Sequence, residues 1–304
     1  MKVRGITRRE ALLAAAALAT TPVRGFTEDP RMLSRKIPAS GEALPVIGLG
    51  TYSVFDVAST PDNIATRKSI VDMLVDSGGR LVDTSPMYNR SEKIIGDIIA
   101  AGTDRDALFL ATKVWTDGRD AGLAQMRRSF ELMNTEVIDL MQVHNLRDTA
   151  THLASIRDLQ EQKRIRYSGV THYTASALDA LEAVMLEYRP QFIQINYSLA
   201  ERAAEHRVLP LAQDLGMAVL INRPFQAGRL FRAVAGRELP DWAQEFAASW
   251  GQFFLKFIVS HPAVSCVIPA TSKPGHMTDN LAAGFGALPD AATRKHMVAF
   301  IEAL

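Results

Sequence analysis

Residues 108–144 read LFLATKVWTDGRDAGLAQMRRSFELMNTEVIDLMQVH, and the order of apolar and polar runs in this segment indicates the fold class. It begins with an apolar run of strand length, continues with a segment of helical spacing, and ends with a second apolar run. Each apolar run contains one polar residue at its end, Lys113 in the first and His144 in the second. A strand, a helix and a strand in this order form a βαβ unit, which predicts a parallel sheet.

The same alternation of strands and helices extends along almost the whole chain. Eight βα units over about 260 residues match the size and order of a (β/α)8 barrel. A doubly wound sheet is the alternative, but it requires a G-x-G-x-x-G loop after its first strand, and the sequence contains none. We therefore predict one barrel domain over residues 27–304. The eight strand runs are 44–51, 80–84, 108–114, 137–144, 165–172, 191–198, 217–224 and 264–271.

The composition is that of a globular protein with a large core. Of the 304 residues, 47% are hydrophobic, and 34 basic side chains nearly balance 33 acidic ones. This balance provides no signal for nucleic-acid binding. The single cysteine, Cys266, lies in the apolar run VSCVIP and is expected to be a buried strand residue. A polar segment before the barrel, residues 31–43, is expected to form a short hairpin or an extended lead-in.

Four polar residues lie at or just beyond the ends of three neighbouring strand runs. Asp83 ends RLVD, Lys113 ends LFLATK, His144 ends IDLMQVH, and Tyr88 lies five residues beyond Asp83. The carboxyl ends of barrel strands build the active site, so we expect these side chains to converge. The ammonium is expected to lower the pKa of the phenol, while the carboxylate keeps the ammonium charged. Such a set can protonate a carbonyl oxygen, which predicts an enzyme.

The segment DTSPMYNRSEKIIG, residues 83–96, resembles the aldo/keto reductase signature D-T-A-x-x-Y-G-x-S-E-x-x-L-G. The segments ATKV and QVH are similar to the family's strand-three lysine and strand-four histidine, and the resemblance covers about residues 37–282. It implies a (β/α)8 barrel that reduces aldehydes or ketones to alcohols with a nicotinamide dinucleotide and no metal. Tyr88 would be the general acid, tuned by Lys113 and Asp83. His144 would orient the small carbonyl substrate.

The resemblance also implies where the nicotinamide binds. GVTHY, residues 169–173, resembles the family's G-V-S-N-F, so Thr171 and His172 stand where serine and asparagine contact the nicotinamide carboxamide. Gln194 in FIQINYS fits the third amide contact. Asn222 stands where the family has an aromatic residue that stacks on the nicotinamide.

Two further segments are similar to those that hold the rest of the dinucleotide. NRPFQAGRL resembles the pyrophosphate loop Y-S-P-L-x-x-G-x-L, and IPATSKPGHMTDNL resembles the adenosine-binding segment. In the latter, Ser272 and Asn280 match, whereas His276 replaces an arginine that helps to bind the 2′-phosphate of NADP. The resemblance favours NADP(H), with NAD(H) as the alternative. The other expected cofactor residues are Gly50, Thr51, Asp83, Arg223, Pro224, Phe225, Gly228 and Leu230.

Aromatic residues near the ends of the strand runs are candidates to line the substrate pocket. They are Tyr52, Phe55, Trp115 and Tyr197, and a packing role is the alternative for each of them. A second hypothesis for the function is a non-catalytic nicotinamide-binding sensor or partner subunit on the same barrel. It is motivated by the departures from the family pattern at His172, Asn222 and His276.

The first 26 residues read as a leader rather than as part of the barrel. Basic MKVRGITRRE is followed by small, apolar ALLAAAALAT, and Ala17-Leu18-Ala19 resembles an A-x-A cleavage site. The apolar run is too short to span a bilayer as a helix. The segment from Thr7 to Leu13, TRREALL, resembles a twin-arginine export signal. It predicts export to the periplasm by the twin-arginine machinery; a cytoplasmic protein with an ordinary amphipathic helix is the alternative.

Overall fold

Ten strands and ten helices make up the part of the chain that the computed structural model describes, residues 31–304. The predicted leader, residues 1–26, lies outside this part. The strands are β1 (Ser34–Lys36), β2 (Ala43–Pro45), β3 (Leu49–Gly50), β4 (Leu81–Asp83), β5 (Phe109–Val114), β6 (Ile138–His144), β7 (Ile165–Thr171), β8 (Phe192–Asn196), β9 (Ala218–Asn222) and β10 (Cys266–Val267). The helices are α1 (Pro61–Asp76), α2 (Ser91–Ala100), α3 (Arg119–Leu132), α4 (Thr149–Glu161), α5 (Leu178–Tyr188), α6 (Val208–Asp214), α7 (Arg229–Ala233), α8 (Trp250–Val259), α9 (Pro274–Ala282) and α10 (Ala291–Glu302).

Eight of the strands form one parallel sheet that closes into a barrel. Strands β3 to β10 are hydrogen-bonded in chain order, and every neighbouring pair is parallel. Bridges from Ile47 to Val267 and from Gly50 to Ala270 join the first strand to the last. Each predicted strand run contributes one barrel strand. The predicted single-domain (β/α)8 barrel is therefore confirmed, and the doubly wound sheet was the wrong alternative.

The close approach of the first and last strands depends on Gly50. A side-chain carbon added at Gly50 would lie 2.7 Å from the carbonyl oxygen of Ile268, closer than van der Waals contact allows. The amide of Gly50 donates to the carbonyl of Pro269 at 3.2 Å, and the amide of Gly48 donates to Val267 at 2.9 Å. Glycine at this position therefore lets the barrel close through two very short strands.

The side chains inside the barrel change from apolar to polar toward the carboxyl ends of the strands. Successive strand residues alternate between the two faces of a sheet, so Phe192, Gln194 and Asn196 of β8 point inward. Cys266 is buried in the apolar half, as predicted, and burial raises the pKa of its thiol. The apolar half contains Leu81, Phe109, Leu140, Tyr167, Phe192, Leu220 and Cys266. The polar half contains Asp83, Lys113, Gln142, Thr171, Gln194, Asn196 and Asn222.

A hairpin of β1 and β2 covers the amino ends of the barrel strands. Its residues Ile37 and Leu44 are fully buried in the same apolar cluster. Glu42 in the turn region pairs with Arg80 before β4 and with Arg166 in β7. The hairpin therefore closes one end of the barrel, and the polar residues lie at the opposite end.

The helices form a layer outside the barrel, and local sequence signals explain where they begin. The Thr60 side chain accepts a hydrogen bond from the amide of Asn63 at the start of α1, and Pro61 occupies the first helical position. Ser249 caps α8 in the same way. Across residues 31–304, none of the helices combines the length and the apolar character needed to cross a membrane.

Helix α2 packs against the end of α3 at Gly96. A side-chain carbon at this position would lie 2.0 Å from the carbonyl oxygen of Leu132, and 3.0 Å from its carbonyl carbon. Both neighbours are backbone atoms, which cannot rotate away as a side chain can. The two helices can therefore approach this closely only with glycine here.

We expect Gly96→Ala to lower the free energy of unfolding by about 1–3 kcal/mol, because the helices must separate to admit the methyl group. Gly275→Ala in α9 is the matched control, since no heavy atom lies within 4 Å of the added carbon. It should change the free energy of unfolding by at most about 1 kcal/mol. Urea unfolding followed by circular dichroism measures both values. Equal effects of the two substitutions would contradict the packing described for Gly96.

Candidate active site

The four residues at the strand ends meet at the polar end of the barrel. Asp83 ends β4, Lys113 lies in β5, His144 ends β6, and Tyr88 lies in a short turn, Pro86–Tyr88, that follows β4. The ammonium of Lys113 is 2.7 Å from Asp83 Oδ2 and 5.0 Å from the centre of the Tyr88 ring. The ring centres of Tyr88 and His144 are 6.1 Å apart. The structure therefore brings together the phenol, amine, carboxylate and imidazole that the sequence singled out.

The ion pair between Lys113 and Asp83 is almost completely removed from water. The two side chains are 0% and 2% exposed, respectively. The ammonium also donates to the carbonyl of Thr84 at 2.7 Å. Burial alone would lower the pKa of Lys113, but the charge of Asp83 and the nearby Tyr88 outweigh it, and the pKa is raised. Lys113 therefore remains charged at neutral pH.

The phenol of Tyr88 is held in its protonated form. Burial raises its pKa above the ordinary value and outweighs the opposing effect of the Lys113 ammonium. The ammonium does lower this pKa, as expected, but the net shift is upward because desolvation is the larger contribution. A protonated phenol beside a fixed positive charge is a proton donor whose conjugate base is stabilised as it forms.

His144 is neutral, and its hydrogen bond to Ser85 is the basis for assigning which ring nitrogen carries the proton. Burial, with added repulsion from Lys113 and His172, lowers the pKa of His144 to about 3. Ser85 Oγ accepts from the amide of Met87 at 3.2 Å and lies 3.1 Å from His144 Nδ1. Because Ser85 Oγ already accepts from Met87, we assign its hydroxyl as the donor to Nδ1. The imidazole proton then lies on Nε2.

Two glutamine side chains complete the surroundings of Asp83. Its Oδ1 atom accepts from Gln194 Nε2 at 2.7 Å and from Gln142 Nε2 at 3.1 Å. Gln194 Oε1 in turn accepts from the hydroxyl of Thr171 at 3.2 Å. Sequence reasoning selected Thr171 and Gln194 but missed Gln142 and Ser85. Gln142 lies two residues before His144 on β6 and therefore shares its inward face, and this spacing could have identified Gln142 from the sequence.

Residues 46–295 match the model of the aldo/keto reductase family. The chain belongs to this family. It is 28% identical to the methylglyoxal reductase YeaE of Escherichia coli over 263 residues, which cover 83% of this chain and 89% of that protein. It is 24% identical to the glyoxal reductase of Bacillus subtilis over 248 residues, covering 79% and 83% of the two chains. The predicted family and the prediction of an NAD(P)-dependent oxidoreductase are thereby confirmed.

Solved structures show the same architecture. The aldo-keto reductase from Klebsiella pneumoniae in complex with NADPH superposes with a TM-score of 0.75 at 23% identity, covering 89% of this chain and 96% of that one. The thermostable aldo-keto reductase Tm1743, in complex with the inhibitor epalrestat, gives a TM-score of 0.73 at 22% identity, with coverages of 88% and 99%. At this identity the likeness establishes the fold.

The residues expected to contact the nicotinamide of this aldo/keto reductase lie at the ends of β7, β8 and β9. Thr171 and Gln194 are register partners on neighbouring strands. His172 stacks on Tyr173 with ring centres 5.5 Å apart, and its Nδ1 atom bonds the hydroxyl of Thr174. Asn222 donates through Nδ2 to the carbonyl of His172 at 3.2 Å. These residues form one continuous edge of the barrel mouth.

The expected pyrophosphate loop follows β9 directly. Arg223 is exposed, has a positive φ of 51°, and places its guanidinium 5.6 Å from the ring centre of Tyr173. Gly228, with a φ of 81°, immediately precedes the first residue of α7. Pro224 and Leu230 are buried, and Phe225 is half-buried against Phe231. The loop thus presents a cationic side chain and a backbone turn next to the nicotinamide residues.

The remaining expected cofactor residues lie near the junction of the first and last barrel strands. The bridge between Gly50 and Ala270 joins the first strand to the expected adenosine segment. In that segment Ser272 is half-buried, His276 is exposed on α9, and Asn280 is buried. The Thr51 hydroxyl is buried and donates to the carbonyl of Asp83 at 2.9 Å. Thr51 therefore anchors the backbone of a catalytic candidate.

Two of the four aromatic candidates for the substrate pocket lie beside the catalytic residues. The ring centre of Tyr52 is 5.1 Å from that of Tyr88, and the ring centre of Trp115 is 6.5 Å from that of His144. Both side chains are exposed. They form an aromatic rim around the proton donor.

The other two aromatic candidates, Phe55 and Tyr197, are fully buried packing residues. Tyr197 follows the inward-facing Asn196 and therefore points to the outer side of the barrel wall. Its hydroxyl accepts from Arg294 at 2.6 Å and donates to Glu205. Tyr197 therefore has the packing role that was its alternative, because a shift of one residue reverses the side on which a strand residue points. Across residues 31–304, no group of three or more His, Cys, Asp or Glu side chains is arranged to hold a metal ion.

We expect the ring of His144 to remain neutral, with its proton on Nε2, between about pH 5 and pH 8, because its pKa is lowered to about 3. Ser85→Ala removes the donor to Nδ1 and should produce a mixture of the two tautomers. Ser85→Thr keeps the hydroxyl and should restore the Nε2–H form. Long-range ¹H–¹⁵N correlation spectra of the histidine rings, assigned with His144→Gln, measure the tautomer. A proton on Nδ1 in the wild type would contradict the assignment.

Proposed function

We propose that this aldo/keto reductase reduces small aldehydes and ketones to alcohols, with Tyr88 as the proton donor and NADPH as the favoured reductant. The observation that carries the proposal is the buried pair of Lys113 and Asp83 beside the protonated phenol of Tyr88. A protein that only binds a ligand has no need of a desolvated charge next to an acid. Catalysis uses this arrangement, because a dry site strengthens the stabilisation of charge that develops during reaction.

The residues at the barrel mouth fit a nicotinamide dinucleotide. The carbonyl oxygens of the Asn196 and Asn222 side chains are buried without a donor among the described residues, which suits a ligand that carries N–H groups. Arg223 offers an exposed guanidinium beside them for an anionic group. When bound, the dinucleotide supplies the hydride for the reduction. The Klebsiella pneumoniae reductase described above is in complex with NADPH, and a second one from the same organism, with a TM-score of 0.73 to this chain, is in complex with NADP and acetate; both support NADP(H) as the favoured form.

The chain's own residues provide the proton and orient the carbonyl group. The Nε2–H of neutral His144 donates a hydrogen bond to the carbonyl oxygen and fixes its position. The phenol of Tyr88 transfers its proton to that oxygen as the carbonyl carbon is reduced, so that the alcohol is neutral. The ammonium of Lys113 stabilises the phenolate that remains, and Asp83 keeps the ammonium charged and in place. Proton uptake from water then restores the phenol.

The substrate class that we propose is small aldehydes with a neighbouring carbonyl group. Two of the relatives are named as methylglyoxal and glyoxal reductases. The exposed rim of Tyr52 and Trp115 provides flat apolar surface at the entrance, while His144 and Tyr88 provide two donors at its base. Methylglyoxal and glyoxal are therefore the first compounds to assay, followed by a panel of simple aldehydes and ketones.

We expect Tyr88→Phe to lower kcat/KM for carbonyl reduction by about 10²- to 10⁴-fold, the usual contribution of a general acid. The affinity for NADPH, measured by quenching of protein fluorescence, should change by less than about threefold, because the lost interaction develops only during reaction. Tyr52→Phe is the matched control on the neighbouring ring and should retain most of the activity. Full activity of Tyr88→Phe would remove Tyr88 as the acid. Saturable NADPH binding by the wild type without turnover of any carbonyl would favour the sensor hypothesis.

We propose that the chain is exported to the periplasm by the twin-arginine machinery. Support comes from the order of features in residues 1–26: a basic start, the paired Arg8 and Arg9, a short apolar run, and small residues at a cleavage-like site. The twin-arginine route carries folded proteins, so the dinucleotide can be loaded in the cytoplasm before export.

We expect the double substitution Arg8→Lys/Arg9→Lys to retain the protein in the cytoplasm, because the twin-arginine receptor reads the guanidinium pair. Arg4→Lys in the same leader is the control and should leave the distribution unchanged. Fractionation of expressing cells, with immunoblots of the periplasm and cytoplasm, measures both. An unchanged distribution of the double variant would reject this export route.

A further inference from the structure

The direction of each hydrogen bond around Asp83 is dictated by its charge. An ionised carboxylate can only accept hydrogen bonds. The side-chain nitrogens of Gln194 and Gln142, which lie 2.7 and 3.1 Å from Asp83 Oδ1, are therefore the donors. This fixes the orientation of both amides, and it turns the carbonyl oxygen of Gln194 away from the carboxylate.

The same constraint extends from Gln194 to Asn222. Gln194 Oε1 must accept, and it does so from Thr171 Oγ1 at 3.2 Å and, more weakly, from Asn222 Nδ2 at 3.5 Å. Asn222 Nδ2 also donates to the carbonyl of His172 at 3.2 Å. Both partners of the Asn222 amino group are acceptors. Rotating the amide by 180° would therefore place its own oxygen against the oxygens of His172 and Gln194. Asn222 Oδ1 therefore faces the other way, as an acceptor.

Asn196 places a second side-chain amide next to the first. It is the register partner of Asn222 on the neighbouring strand and lies two residues beyond Gln194 on the same inward face. The residue is 5% exposed. The Oδ1 atoms of Asn196 and Asn222 are both buried, and neither has a donor within the described residues. Buried acceptors without a donor are costly, so this pair indicates a ligand that brings N–H groups.

We propose that Asn222 and Asn196 form the subsite that accepts the N–H₂ group of the nicotinamide carboxamide. The proposal rests on the proposed function. Phosphate groups and carbonyl substrates are acceptors and cannot satisfy these oxygens. Asn222 is linked to Asp83 through one glutamine, which places the subsite at the reacting end of the dinucleotide. Gln194, which the family resemblance assigns to the carboxamide, already uses its nitrogen for Asp83 and its oxygen for Thr171.

The test compares two dinucleotides that differ only in the group concerned. NADPH carries the carboxamide, whereas the reduced 3-acetylpyridine analogue has a methyl group in place of N–H₂. Dissociation constants of the full chain are measured by fluorescence quenching, with no turnover required. Wild type should bind NADPH about 5- to 10-fold more tightly than the analogue, as one or two hydrogen bonds to neutral groups allow. Asn222→Leu should weaken NADPH binding and reduce this ratio to about one, and Asn196→Leu should reduce it in part.

Thr171→Val is the discriminating control, because it disturbs the same Gln194 oxygen and leaves both asparagine acceptors in place. It should preserve the preference for NADPH over the analogue. Equal affinity of wild type for the two dinucleotides overturns the subsite whether or not the variants fold. Loss of the preference in Thr171→Val, with its retention in Asn222→Leu, assigns the carboxamide to Thr171 and also overturns it. Failure of wild type to bind either dinucleotide instead rejects the proposed function.

Discussion

The buried ion pair of Lys113 and Asp83 is the interaction on which the site depends. Two charges withdrawn from water are stable only where further hydrogen bonds satisfy their remaining atoms. The barrel supplies these bonds from its own wall, with the carbonyl of Thr84 for the ammonium and the amides of Gln142 and Gln194 for the carboxylate. All of them lie near the carboxyl ends of the alternate strands β4, β6 and β8. The pair exists because the sheet closes and brings these strands around one centre.

The same pair determines the chemical state of its neighbours. The positive charge of Lys113 helps to keep His144 neutral, and it lies close enough to Tyr88 to stabilise its phenolate. The negative charge of Asp83 orients the amides that lead to Asn222. One ion pair therefore influences both the proton donor and the edge of the barrel mouth where the cofactor is expected.

Much of the fold and part of the site could be predicted from the sequence, because both rest on local patterns. The eight strand runs, and the polar residues at their ends, are visible as short apolar segments that close on Asp83, Lys113 and His144. The partners of these residues were not visible. Ser85 reads as a turn residue and Gln142 as one polar residue in a strand, and their contacts depend on the register between strands. The net pKa shift of Tyr88 depends on burial, which no local pattern reports. The choice between a pocket and a packing role for Tyr197 stayed open because sequence alone left the inward face of β8 undetermined.

The two ends of the barrel differ in what a sequence change there affects. At the amino end, the apolar residues of the β1–β2 hairpin cover the core, and Glu42 forms ion pairs with arginines near two barrel strands. Changes in the hairpin therefore lower the stability of the fold. The loops beyond the opposite ends carry the aromatic rim and the exposed Arg223, and they contribute little to covering the core. Such loops tolerate sequence change well. Gene duplication followed by drift in these loops can therefore generate new substrate preferences while the inherited proton donor and its buried partners stay intact.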